Sequence, residues 1–150
     1  MQPPLTQWIC DNCNNDITDK SKAYVIWMDD PDLGCANFKI IHQGVCDNAE
    51  DYNCSLPLES FLGDEGREYL LSFLSSGAIK NNLGRDPVIP PYNIDEFVDF
   101  FRRVQTPYYE EARTKFKDSK VLTNYFQDNA FGPYLEESLI YIIKGMPNSA

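Results

Sequence analysis

Apolar positions recur at short, strand-like intervals over residues 5–54, and from Pro57 onward they recur every three or four residues. Ala23-Tyr24-Val25-Ile26-Trp27-Met28 is an aromatic and β-branched run, and Asn37-Phe38-Lys39-Ile40-Ile41 alternates in part. The Asp29-Asp30-Pro31-Asp32-Leu33-Gly34 stretch between them carries turn chemistry, so the pattern predicts an antiparallel hairpin. Residues 5–9 can add a short third strand leading into Cys10.

Downstream, Asp64 is placed to cap a helix in which Glu65 and Glu68 lie towards the positive end, Tyr69, Leu70, Phe73 and Leu74 form a stripe, and Gly77 is the stop. Residues 81–91, with Gly84, Asp86-Pro87 and Pro90-Pro91, read as a loop. Asn93-Ile94-Asp95-Glu96 reads as a capping box ahead of Phe97, Phe100, Phe101 and Val104. Thr106-Pro107 breaks this pattern, and Pro107 suits the first position of a new helix through residues 108–117. Ser119 reads as the cap of a fourth segment carrying Val121, Leu122, Tyr125 and Phe126. Gly132-Pro133 opens a last one over 134–144, stopped by Gly145 with Pro147 beyond. Its run Leu139-Ile140-Tyr141-Ile142-Ile143 fits a helix or a buried strand.

Composition fits a folded core: 43% of the 150 residues are hydrophobic and 13% aromatic. The longest apolar runs, 23–28 and 139–143, fall far short of the roughly 20 residues that cross a bilayer. The start, Met1-Gln2-Pro3-Pro4, has no basic flank and no apolar stretch, so no secretory signal and a cytoplasmic setting are expected. The net charge of −10 argues against general affinity for nucleic acid or anionic membrane. Residues 1–56 hold the denser negative charge, and the one basic island is Arg102, Arg103, Arg113, Lys115, Lys117 and Lys120.

All five cysteines lie in the first 54 residues, and an odd number without a signal peptide is a poor disulfide framework. Cys10-Asp11-Asn12-Cys13 is a C-x-x-C, and His42-Gln43-Gly44-Val45-Cys46 is an H-x-x-x-C directly after the second hairpin strand. Two close pairs brought together by a hairpin make a four-ligand set suited to tetrahedral zinc. The expected ligands are Cys10, Cys13, His42 and Cys46, and Cys35 or Cys54 remains able to replace His42 or Cys46. Asn14-Asn15-Asp16 does not begin the helix that a redox C-x-x-C needs.

These residues resemble the zinc-ribbon and treble-clef class of metal knuckles, in which a C-x-x-C precedes a hairpin and a second ligand pair follows. The resemblance covers about residues 8–50, and it departs from a plain ribbon in having His-x-x-x-Cys as the second pair. The order Trp8-x-Cys10-x-x-Cys13, Ala23-Tyr24-Val25-Ile26-Trp27, then His42 and Cys46-Asp47 also looks like a group of small bacterial proteins of unassigned function with a helical C-terminal half. That second resemblance implies an architecture without an activity.

Enzyme chemistry finds little foothold. A zinc deaminase needs H-x-E before P-C-x-x-C, whereas here the C-x-x-C comes first and no Glu follows His42. There is no H-E-x-x-H, no phosphate-binding glycine loop and no dinucleotide fingerprint. His42 is the sole histidine, so as a ligand it leaves no imidazole to activate a Ser or Cys nucleophile. The adjacent pairs Asp29/Asp30, Glu110/Glu111 and Glu136/Glu137 fit solvated faces. Arg102, Arg103, Tyr108 and Tyr109, near the Pro107 break, read either as an amphipathic helix with its aromatics in the core or as a partner contact.

The expected fold is α+β: a zinc-stapled β-hairpin module at residues 1–56 packed on a helical unit at 57–150, or the two as one continuous domain. The expected function is a non-catalytic zinc-binding interaction or regulatory protein acting through a protein partner, without direct nucleic-acid or membrane binding. An acidic inhibitor that mimics nucleic acid, and an enzyme with an unrecognised site, are the alternatives.

Overall fold

The turn residues between positions 9 and 16 and between 30 and 34 each return the chain antiparallel to the strand before. In the computed structural model, which describes residues 1–48, 50, 52–84, 86–125 and 131–145, β1 (Trp8–Ile9) pairs with β2 (Asp16–Ile17) in a two-stranded sheet of its own. β3 (Ala23–Asp30) pairs with β4 (Gly34–His42) to form the expected hairpin, and β5 (Cys54–Pro57) adds to the other side of β3, giving the order β4-β3-β5. The third strand of the hairpin sheet therefore comes from residues 54–57 and not from residues 5–9, of which only Trp8 and Ile9 are strand, in the separate pair with β2. At the hairpin turn the Asp30 carboxylate accepts from the amides of Asp32 and Leu33. Gly34 takes φ +91°, and a β-carbon there would collide with the carbonyl of Pro90.

Six α-helices follow among the described residues: α1 (Gly63–Ser72), α2 (Gly77–Asn81), α3 (Ile94–Gln105), α4 (Tyr109–Arg113), α5 (Ser119–Tyr125) and α6 (Glu136–Ile143). None is long and apolar enough to cross a membrane. The cap of α1 is Leu62, with Asp64 inside the first turn, and Gly77 opens α2 instead of ending α1. The Asn93 side chain caps α3 by accepting from the Glu96 amide at 3.2 Å. The Glu96 carboxylate, however, does not return to Asn93 but accepts from Phe38 N–H of β4 at 3.0 Å, so half of the box became a tertiary bond.

The break at Thr106-Pro107 is real, yet α4 is short and begins after Tyr108, which sits in the left-handed region at φ +67°. At the start of α5 the Asp118 carboxylate, and not the Ser119 hydroxyl, accepts from the Lys120 amide. The last segment is a helix, preceded by a 3₁₀ turn at Gly132–Tyr134. Phe126 and Pro147 lie outside the described residues.

The main core is aromatic and lies between the three-stranded sheet and helices α1 and α3. Phe38 of β4 is stacked between Trp27 of β3, at 5.7 Å, and Phe100 of α3, at 5.0 Å, while Phe73 and Phe97 meet its edge. Phe61 closes the cluster edge-on to Trp27 and Phe100. Offset and edge-on ring pairs each contribute about 0.5–1.5 kcal/mol beyond area burial, so this lattice fixes where α3 lies on the sheet. A smaller cluster of Tyr109, Ala112, Leu139 and Ile142 joins α4 to α6.

Helix α1 approaches the chain at Phe61 so closely that only glycine fits at position 66, where a β-carbon would collide with the Phe61 backbone. Gly66→Ala is expected to lower the stability by about 1–3 kcal/mol in a urea titration, despite alanine's better helix propensity. Glu65→Ala, one position away and exposed, serves as the control. Equal midpoints for the two variants would show that the helix can shift without cost.

Candidate metal centre

The C-x-x-C forms a tight knuckle between β1 and β2. Cys10 N–H donates to Asn15 O and Asn14 N–H to Cys10 O, both at 2.9 Å, and Asn14 takes the left-handed conformation at φ +63° that asparagine tolerates. Asn12 N–H points at Cys10 Sγ, at 3.4 Å. The second pair comes from the end of β4, where Gly44 at φ +87° lets the chain turn back within four residues to bring Cys46 beside His42.

The four expected residues meet. The sulfurs of Cys10, Cys13 and Cys46 and a ring nitrogen of His42 all lie within 4.8 Å of one another. His42 Nδ1 is 3.4 Å from Cys13 Sγ and 3.7 Å from Cys46 Sγ. A tetrahedral ion at about 2.3 Å from sulfur and about 2.1 Å from nitrogen needs S···N edges of about 3.6 Å, so the cluster has the size of a first coordination shell. The other ring nitrogen, Nε2, is 3.2 Å from the Asp16 carbonyl and donates to it when Nδ1 is the ligand. Such a bond fixes both tautomer and ring orientation. Cys10 and Cys46 are buried and the other two half-buried, and all five cysteines are free thiols. The residues thus form a set able to hold a metal ion.

The electrostatics of the cluster are divided. Burial raises the Cys10 thiol, but hydrogen bonds from the backbones of Cys13, His42 and Asn12 and from the His42 side chain outweigh it and bring the pKa down to about 6. At Cys46 the Asn12 side chain favours the thiolate, yet burial and the neighbouring sulfurs of Cys10 and Cys13 leave the pKa raised. The cluster therefore holds a thiolate readily at one position and resists further charge at another, and a bound cation relieves that repulsion.

Cys35 and Cys54 lie outside the cluster, on β4 and β5 opposite Asp29 and Trp27 of β3. Burial, and then Asp29, push Cys35 up to about 11, and the same two causes raise Cys54. Neither takes the place of His42 or Cys46 in the arrangement seen.

Of the residues proposed for partner contact, two are inside the protein. Arg103 is 3% exposed and Tyr109 4% exposed, with the Tyr109 hydroxyl donating to Asp99. In this conformation the polar atoms of both are engaged internally. Arg102 lies 3.9 Å over the ring of Tyr134, and Tyr108 is half-buried against the smaller cluster. Trp8 is fully buried and donates to Arg103 O at 2.9 Å.

A network of charged residues around the knuckle was not anticipated. Arg103 donates from Nε to Glu110 Oε2 at 2.7 Å and from Nη2 to Glu110 Oε1 at 2.8 Å, a bidentate pair, and from Nη1 to Asp11 Oδ2 at 2.7 Å. Arg113 adds a contact to Asp99 at 3.1 Å. The signal available in the sequence was position: Arg103 lies three residues from Phe100 and beside Val104, on the apolar stripe of α3, where an arginine must find partners. No protein-family profile, curated protein or solved structure matches this chain.

In the metal-free protein, ultraviolet thiolate absorbance is expected to show one cysteine ionising near pH 6, a step that should vanish in Cys10→Ser. A low step that survives Cys10→Ser would place the stabilised thiolate elsewhere.

Proposed function

We propose that the chain is a non-catalytic zinc protein in which Cys10, Cys13, His42 and Cys46 hold one Zn²⁺ and staple the N-terminal module, and that it acts as an interaction or regulatory protein on a protein partner. The observation that carries this reading is the coming together of three sulfurs and one imidazole nitrogen at coordination-shell spacing. Three thiolates and an imidazole suit zinc, and four protein ligands leave no open position for water or substrate, the mark of a structural site. The ion would supply cross-linking of the knuckle to the end of β4, and no reaction step.

The absence of nucleic-acid binding is supported by how the basic island is used. Arg103 pairs with Asp11 and Glu110, Arg113 with Asp99, and Lys115 donates to the carbonyl of Ile143 at 2.7 Å. With those cations engaged internally on a chain of net charge −10, phosphate has little to meet.

Elemental analysis of the chain purified without chelator is expected to give close to one zinc per molecule, since structural zinc in small modules binds with roughly 10 kcal/mol or more. Cys10→Ser, Cys13→Ser and His42→Ala should lose metal, and Cys35→Ser and Cys54→Ser should keep it. Metal-free protein in every preparation contradicts the centre, and loss of metal in Cys35→Ser with retention in His42→Ala contradicts the ligand set.

Fluorescence anisotropy at about 0.15 M salt is expected to show no binding to duplex or single-stranded nucleic acid. Micromolar affinity that falls steeply with salt would replace the protein partner by nucleic acid.

A further inference from the structure

The peptide on either side of Cys10 is held by side chains from two helices about a hundred residues away. Glu110 Oε1, on α4, accepts from Ile9 N–H at 3.0 Å, and Arg103 Nη2, on α3, donates to Ile9 O at 3.0 Å. Both polar groups of the residue before Cys10 thus go to the helices. The residue after Cys10 is held on both sides as well. Asp11 N–H donates to Ile40 O at 2.8 Å, and Asp11 Oδ2 accepts from Ile40 N–H and from Arg103 Nη1, both at 2.7 Å. The Asp11 side chain therefore bridges β4, which carries His42, and α3. None of these hydrogen bonds ends on Cys10, Cys13, His42 or Cys46 side chains.

We propose that Arg103, Glu110 and Asp11 are positioning residues for the metal knuckle, through which metal loading and the docking of α3 and α4 hold one another in place. The proposal rests on the zinc reading above. The clamp fixes the backbone from which Cys10 presents its sulfur, and the Asn12 N–H directed at that sulfur depends on the same turn. Fixing this turn before the ion arrives removes an ordering cost from metal binding. By the reciprocity of linked equilibria, the ion then stabilises the clamped arrangement of α3 and α4 by the same factor. Loss of metal frees the knuckle, loosens the grip of Asp11 and Ile9 on Arg103, and leaves the buried guanidinium and the Glu110 carboxylate less well satisfied. Metal occupancy is in this way communicated to the helical surface, where a regulatory protein would present its contacts.

The test uses the full chain and zinc itself, in competition with a chelator, together with amide exchange of the zinc-loaded and zinc-stripped forms. Arg103→Lys keeps the charge and loses the fork, and Asp11→Asn weakens the bridge at a partly exposed side chain. Should the first fail to fold, the second carries the same comparison. Each is expected to weaken zinc binding by about tenfold or more, the usual effect of residues that orient ligands without touching the ion. In the unaltered protein, stripping zinc should speed amide exchange in residues 94–105 and 109–113, and in the variants this response should shrink. Gly66→Ala, which strains α1 against Phe61 and leaves the clamp and the two helices it holds in place, should leave zinc affinity unchanged.

Unchanged zinc affinity in the clamp variants overturns the coupling and leaves the metal centre standing, as does exchange in α3 and α4 that ignores zinc. An equal loss of affinity in Gly66→Ala also overturns it, since general loosening then explains the effect. If the unaltered chain binds no zinc, the metal centre and the coupling fall together.

Discussion

A guanidinium taken out of water must be fully partnered, and the partners of Arg103 join the first third of the chain to the last. Burial alone would lower its pKa, but hydrogen bonds and charge from Glu110 and Asp11 outweigh burial and keep it firmly protonated. Removing Glu110 would leave the buried guanidinium with only the partly exposed Asp11 as counter-charge, a larger cost than the net worth of the pair. Because the partners come from the knuckle and from α4, the one cation on the apolar stripe of α3 sets where β1, α3 and α4 meet. Trp8, whose indole donates to the Arg103 carbonyl, covers the same junction with apolar surface.

Around that junction two different kinds of order coexist. The aromatic lattice of Trp27, Phe38, Phe61, Phe97 and Phe100 holds the sheet to α1 and α3 by burial and ring geometry. The knuckle end of the sheet holds instead by backbone bonds and by four converging side chains able to hold a metal. Its thiols have opposing tendencies, Cys10 favouring the thiolate and Cys46 resisting it. Zinc is our proposal for what the cluster holds. His42 is central to that proposal, because its Asp16 bond aims Nδ1 at the sulfurs and because no second histidine exists to do chemistry beside it.

The four cluster residues were legible in the sequence, since ligand spacing is a local property and the hairpin that joins the two pairs announces itself in residues 23–41. The Asn93 cap and the break at Thr106-Pro107 were legible for the same reason. What escaped was non-local. Strand β5 is four residues long, and nothing in its composition says that it will pair with β3. Glu96 was assigned to its own helix cap, and a β4 amide claimed it instead. Arg103 and Glu110 looked like members of a solvated basic and acidic surface because charged residues usually are. Their burial depends on Asp11, 92 positions away from Arg103, which no periodicity can report. Tyr109 is likewise buried by packing remote from its own spacing, in the cluster that joins α4 to α6.

X-ray absorption at the zinc edge of the purified chain tests the central claim most directly. The account predicts a four-coordinate ion with three sulfurs at about 2.3 Å and one imidazole nitrogen at about 2.0 Å, the nitrogen signal disappearing in His42→Ala. A shell of four sulfurs, or one made of oxygens, would contradict it.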